Sequence, residues 1–249
     1  MANSIWFCSL LLCTLMSLPS IVSADTAPDF FEVVAGTPSR VINHEVELKG
    51  QFDDDVTETL LTGPQMFSHS VGCGEKPVRS QNAYLNWYKI TEPTSEPQRI
   101  LSVRDALRGN EAHQITIEDS AFLLSPAQRI TTGPPSELPD GLNHLKAYKI
   151  VKGPQLSEKV ELTGAFGPKD RTAVKAAFFC VPVEQWHHHD RFPIKDSQRC
   201  MLVYELLPQE HTSSVTTIDQ FGLNNLEVRS SKWLCVPAQI VDRTSAESR

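Results

Sequence analysis

Positive charge is in short supply in this chain. Lys and Arg total 23 against 30 Asp and Glu, a formal net charge of −7. A surface of that sign repels phosphate backbones and anionic headgroups, which argues against nucleic acid and lipid surfaces as partners. Glycine is also sparse, 12 residues to 17 prolines, and neither follows a collagen-like period. Beyond residue 22 no apolar run is long enough to span a bilayer. Missing too are the G-x-S-x-G elbow, the P-loop, the G-x-G-x-x-G pattern, H-E-x-x-H and the EF-hand loop. The sequence therefore predicts a non-enzymatic protein with no cofactor. What it does hold is 249 residues, 40% of them apolar and 21% charged. That is enough to bury the core of one large domain or two ordinary ones.

The chain opens with a leader-like segment. Residues 5–22 are apolar and uncharged, and Val22-Ser23-Ala24 supplies the residues signal peptidase reads. The expectation is a signal peptide over 1–24, cleaved before Asp25. The protein is then exported, periplasmic or extracellular, with no membrane span after cleavage. Cys8 and Cys13 leave with the leader, and Cys73, Cys180, Cys200 and Cys235 remain. In an oxidising compartment four cysteines admit three pairings, and none of these spacings matches a zinc ribbon or a C-x-x-C centre.

Internal repetition is the most informative feature. An aromatic within a strand-like run recurs at Phe31, Tyr88, Tyr148 and Tyr204. A large apolar residue at a turn recurs at Phe52, Leu107, Phe166 and Phe221. A third landmark closes each unit at Ser68, Leu124, Cys180 and Cys235. All three keep a spacing of 55 to 60 residues, which defines four units. VELKGQF at 46–52 resembles VELTGAF at 160–166, and Pro-Ala-Gln recurs at 126–128 and 237–239. Unit one is thus like unit three, and unit two like unit four. Alternating apolar residues and Gly-Pro pairs at 63–64, 133–134, 153–154 and 167–168 give short strands. Residues 102–108 and 171–179 are helical by local propensity; the repeat overrides this for the second and leaves a single helical turn for the first. The expected fold is all-β, with four units of about 56 residues pairing into two small barrel- or sandwich-like halves. The first half covers 25–130, a Pro-rich linker 131–141, the second half 142–241, and a frayed tail 242–249. The alternative is one closed four-unit ring, like a small propeller.

The pattern H-L-x-x-Y-K-[IV] … D-Q-F-G … L-C-V-P resembles a repeated domain of unknown function in exported bacterial proteins. It is carried by His144 to Ile150, Asp219 to Gly222, Phe179 to Val183 and Leu234 to Ala238. The resemblance is good over units three and four and weak over one and two. It implies a module and brings no established activity. In that family a cysteine usually precedes the first-strand tyrosine; here Ala147 takes that place, and Cys200 lies four residues before Tyr204. Cys200 and Cys235 are expected to pair, both lying in unit four near its first and last strands, and Cys180 with Cys200 is the alternative.

Local chemistry is thin. His187, His188, His189 and Asp190 form the one unusual composition, with imidazole and carboxylate ligands suited to zinc, copper or nickel. A metal-binding protein or hydrolase built on that tract is the alternative function. Cys73 sits between two glycines with His69 four residues away, a thiol whose commoner fate is a disulfide. Aromatics at repeat positions, among them Phe122, Phe178 and Trp233, read as core. Tyr84, Trp87 and Trp186 do not repeat and are the candidate binding surface. The reading is a structural or interaction module of the cell envelope, with an envelope protein or polysaccharide as its partner.

Overall fold

A computed structural model describes residues 29–93, 95–109, 111–135 and 137–244. The expected signal peptide over 1–24 and residues 245–249 lie outside them. Every regular element among the described residues is a strand. The segment read as unit one contains β1 (Phe30–Pro38), β2 (Ile42–Gly50) and β3 (Thr57–Cys73). Unit two contains β4 (Tyr84–Thr91), β5 (Arg99–Asp105) and β6 (His113–Ile130). Unit three contains β7 (His144–Lys152), β8 (Gln155–Gly164), β9 (Lys169–His187) and a short β10 (Asp190–Phe192). In unit four the first two strands run together as β11 (Cys200–Asp219), followed by β12 (Gly222–Thr244). Residues 171–179 lie inside β9, as the repeat predicts, and 102–105 are the end of β5 rather than a helical turn.

The strands β3, β6, β9 and β12 run 17, 18, 19 and 23 residues, far beyond the usual ~6. Each changes partner along its length. The first part pairs with the strand segment before it in its own unit, as in Leu48 opposite Thr57 and Leu162 opposite Lys169. A break in register then bends the strand. The second part joins an eight-membered ring in the order β1, β3, β4, β6, β7, β9, β11, β12, antiparallel throughout. Pairing of β12 with β1, Phe31 opposite Cys235, closes it.

This sheet does not divide at 131–141. Strands β6 and β7 pair across that segment, and β1 pairs with β12 from the other end of the chain. The arrangement is one continuous twelve-stranded sheet that includes a ring of eight, rather than the separate blades of a propeller. Residues 242–244 of the expected tail are strand, Asp242 and Arg243 pairing with Ser102 and Leu101 of β5. No helix among the described residues is long and apolar enough to cross a membrane.

Strand alternation sends every second ring residue inward. In the middle layer Val33 lies opposite Ser68, Trp87 opposite Leu124, Ala147 opposite Cys180 and Val203 opposite Cys235, all fully buried. The third sequence landmark is thus one inner layer. One indole fills much of it, while Ala147, Val33 and Val203 make room. Trp87 Nε1 donates to Ser68 Oγ at 3.1 Å, so its polar atom is satisfied inside the core. One layer down, Leu85, Leu145 and Met201 face Pro126, Pro182 and Pro237, which accounts for the proline of the L-C-V-P pattern. Loops 139–143 and 195–199 cover that end, tied by Asn143 Nδ2 to Asp196 O at 2.6 Å and by Arg199 to Gly141 O at 3.2 Å.

The aromatic landmark is out of step in unit one. Tyr88, Tyr148 and Tyr204 follow Trp87, Ala147 and Val203 and point outward; by register their counterpart is Val34, while Phe31 points into the ring beside Leu85.

Outside the ring, each second strand crosses to the diagonal unit. Strand β2 of unit one pairs with the end of β9, and β8 of unit three pairs with the end of β3. Strand β5 pairs with β12, and the last part of β11 pairs with β6. The tips then clamp strands of the diagonal unit. Phe221 packs edge-on to Tyr88 at 4.7 Å, Phe52 to Tyr148 at 5.4 Å, and Phe166 to His69 at 4.7 Å. Asp105 accepts a 2.9 Å bond from Tyr204 OH. Gly164 permits the third clamp, because a Cβ there would lie 2.7 Å from Val71 and 3.0 Å from the His69 ring. Reciprocal exchange between units one and three, and between two and four, is what the 46–52/160–166 and 126–128/237–239 resemblances reflect.

Candidate functional site

The end of the ring opposite the covering loops is open. Its inner layer follows from the register one step above the middle layer: Lys89 opposite Phe122, Lys149 opposite Phe178, Glu205 opposite Trp233, and Ala35 opposite Met66. Going round the mouth, a charged side chain alternates with an aromatic one in units two, three and four. The rings form a chain of edge contacts, Trp87 to Phe122 at 5.8 Å, Phe122 to Phe178 at 5.5 Å and Phe178 to Trp233 at 5.8 Å. Phe122, Phe178 and Trp233 are half-buried, and Lys89 and Lys149 are exposed. Together they line a cavity of about 930 Å³, within the range of small-ligand sites.

The long strands widen this mouth. At their register breaks the first parts of β6, β9 and β12 peel away from the ring to meet their second strands, and the bulges sit at the rim. The electrostatics are local and opposite to the whole chain. Four lysines (Lys89, Lys149, Lys175, Lys232) and two glutamates (Glu118, Glu205) line the cavity, in a protein of formal charge −7. Lys175 pairs with Glu205 at 3.1 Å and Lys232 lies 5.7 Å from the Trp233 ring centre. Lys89 and Lys149 have no ion-pair partner among the described residues. An aromatic floor with unpaired ammonium groups above it favours a ligand with a flat apolar face and negative charge.

The residues singled out from sequence lie elsewhere. Trp87 is fully buried and Tyr84 nearly so, so neither is a binding surface; inward alternation claims the first, and Phe67 stacks on the second at 5.5 Å. Trp186 is half-buried beneath the Arg191 guanidinium at 5.8 Å. The His187–Asp190 tract is a hairpin, with Asp190 opposite His187 and a turn at His188 of φ 56°. His187 packs against Phe221 and His44 at 4.9 and 6.1 Å, while His188, His189 and Asp190 are exposed. No three His, Cys, Asp or Glu among the described residues converge as a metal-ligand set.

The cysteines are free and buried. Cys200 lies opposite Ala238 and Cys235 opposite Val203, three positions out of step, which puts them on opposite faces of the sheet. Cys180 lies opposite Met201, so it too faces away from Cys200. Parity thus removes both the Cys200–Cys235 and the Cys180–Cys200 pairing. Cys73 ends β3, and burial raises its thiol pKa, the wrong direction for a nucleophile.

Sequence reasoning read Phe122, Phe178 and Trp233 as core because they repeat. The readable signal was the lysine following Tyr88 and Tyr148: two residues past an inward position, it must also face inward, at the end where the ring opens.

The clamps carry the buried polar chemistry. Asp219 accepts from Asn86 Nδ2 at 2.7 Å, Tyr88 OH at 2.8 Å and Phe221 N at 2.9 Å, which is the work of the D-Q-F-G turn. Glu32 accepts from Ser231 Oγ at 2.6 Å and Lys169 Nζ at 3.1 Å, faces His69 Nε2 at 3.2 Å and Arg171 at 3.6 Å, and is almost wholly buried. Burial alone would raise its pKa, but the hydrogen bonds of His69 and Ser231 and the charges of His69 and Lys169 hold it at about 2. Burial pushes His144, bonded to Gln220 at 3.2 Å, down to about 4. In both cases the unfolded chain binds the extra proton, so stability rises with pH through each window. Acidification is therefore expected to weaken the fold in two stages: from pH 6.5 to about 4 as His144 resists protonation, and from 4.5 to about 2 as Glu32 is neutralised. Each is worth about 3 kcal/mol. Urea midpoints across this range measure it; His144→Gln should reduce the upper stage, to which His44, His113, His187 and His211, also lowered by burial, contribute, and leave the lower one unchanged.

Comparison with known proteins agrees with the sequence pattern. No curated protein and no solved structure matches the chain. A family described as a repeat of unknown function (DUF7450) matches residues 84–237, from the first residue of β4 to the inner-layer Pro237. Over more than half its length, and on the strands that build the open mouth, the chain belongs to this family of repeats.

Proposed function

We propose that this protein is an exported, non-catalytic binding module of the cell envelope that holds its ligand in the open mouth of the ring. The leader-like residues 1–24 support export. What supports binding is the mouth layer itself, where Lys89, Lys149 and Glu205 alternate with Phe122, Phe178 and Trp233. The rings of Phe122, Phe178 and Trp233 pack on the core beneath them and are only half-buried; the aromatic area they leave open lies beside charge, which fits recognition.

Nuclear magnetic resonance titration of labelled protein tests this, using panels of acidic and neutral oligosaccharides and acidic and basic peptides. At least one panel member is expected to shift amides of β4, β7, β9 and β12 around the mouth, and to be recovered unchanged. Shifts confined to the Trp186–His188 end, or turnover of the compound that binds, would contradict the proposal.

A further inference from the structure

We infer that the mouth ligand is an acidic oligosaccharide, a chain of sugars bearing carboxylates; this rests on the mouth being a binding site. Three observations carry it. First, the sign of charge reverses locally: Lys89 and Lys149, without an ion-pair partner among the described residues, stand at the mouth of a chain with net charge −7. A neutral ligand would leave these ammoniums without use, and a cation would be repelled.

Second, the floor is aromatic and closed below. Trp87, Leu124 and Cys180 are fully buried in the layer beneath the rim, which leaves the rings of Phe122, Phe178 and Trp233, set edge-on to one another, as the surface that a ligand meets. Sugar rings present flat C–H faces that stack on such aromatic surfaces. Lys89 and Lys149 stand on β4 and β7 with β6 between them, about 10 Å apart by strand spacing. Carboxylates facing one side on alternate rings of an extended glycan meet that repeat. The cavity of about 930 Å³ takes several such rings.

Third, the mouth offers little backbone edge. At Lys89, Lys149 and Glu205 each strand has a neighbour on both sides, and only the short ends beyond the first two, at 90–91 and 150–152, pair on one side, which leaves little room for the strand addition by which extended peptides dock. An acidic peptide would depend mainly on side chains, whereas a glycan needs no backbone partner.

The test uses the full-length protein with a galacturonic acid tetramer, the matching galactose tetramer and a tetraglutamate peptide, followed by calorimetry and amide shifts. The acidic tetramer is expected to bind at the mouth, with affinity falling at least tenfold between about 0.05 and 0.5 M salt. Lys89→Gln with Lys149→Gln should weaken it at least tenfold, and Trp233→Ala likewise, while urea midpoints of the lysine variant stay unchanged. Equal or tighter binding of the neutral tetramer or of the peptide at the mouth overturns the acidic-glycan assignment and leaves the binding module standing. Mouth amides unmoved by all three compounds overturn the assignment too, and failure across the wider panel would also bring down the module reading.

Discussion

Residues 142–249 produced alone are expected to show no cooperative unfolding transition. In the isolated fragment β7 loses β6, β9 loses β2, β8 loses β3, and β12 loses both β1 and β5. The clamps fail with them, since Phe52 no longer covers Tyr148 and Asp105 no longer receives Tyr204 OH. Losses on that scale exceed the ~5–15 kcal/mol that separates folded from unfolded domains. A protease site placed within 131–141 gives the complementary result: the cut protein stays folded, because the two pieces share one sheet. Urea unfolding followed by circular dichroism reads both. A fragment that melts cooperatively by itself would show that the halves are separate domains after all.

Trp87→Ala is expected to cost about 4 kcal/mol, in the range for removing a large buried aromatic. The indole sits at the centre of the middle layer, fully buried, and it is the donor that satisfies Ser68 Oγ. Neighbouring Ala147, Val33 and Val203 are too short to fill the gap, and the closed ring limits collapse. Trp186→Ala, at the half-buried hairpin, should cost less than about 1 kcal/mol. Denaturant midpoints of the two variants give the comparison directly; a reversed order would remove Trp87 from the centre of the fold.

The sequence made the period and the strands legible because equivalent sites must pack alike. Ser68, Leu124, Cys180 and Cys235 proved to be one inner layer, and Phe52, Phe166 and Phe221 proved to be clamp tips. What could not be read was partner choice. A period shows that units are alike but not that the second strand of each crosses to the diagonal unit, which depends on ring closure. The face of each side chain was lost for the same reason. One misaligned landmark put Phe31 with the outward tyrosines, and membership of one unit paired Cys200 with Cys235 although three positions of register set them on opposite faces. The mouth escaped because repetition argues equally for a core residue and for a rim residue. Only the register, by making Lys89 and Lys149 inward-facing beyond Trp87 and Ala147, separates the two.

The closure of the ring between β1 and β12 carries the whole account, since without it there is no enclosed floor and no mouth. Proton–proton contacts across that seam test it most directly in the full-length protein. The structure requires contacts between Phe31 and Cys235 and between Val33 and Trp233, with slowly exchanging amides along both strands. Absence of these contacts, with β1 amides exchanging as a free edge, would contradict the closed ring.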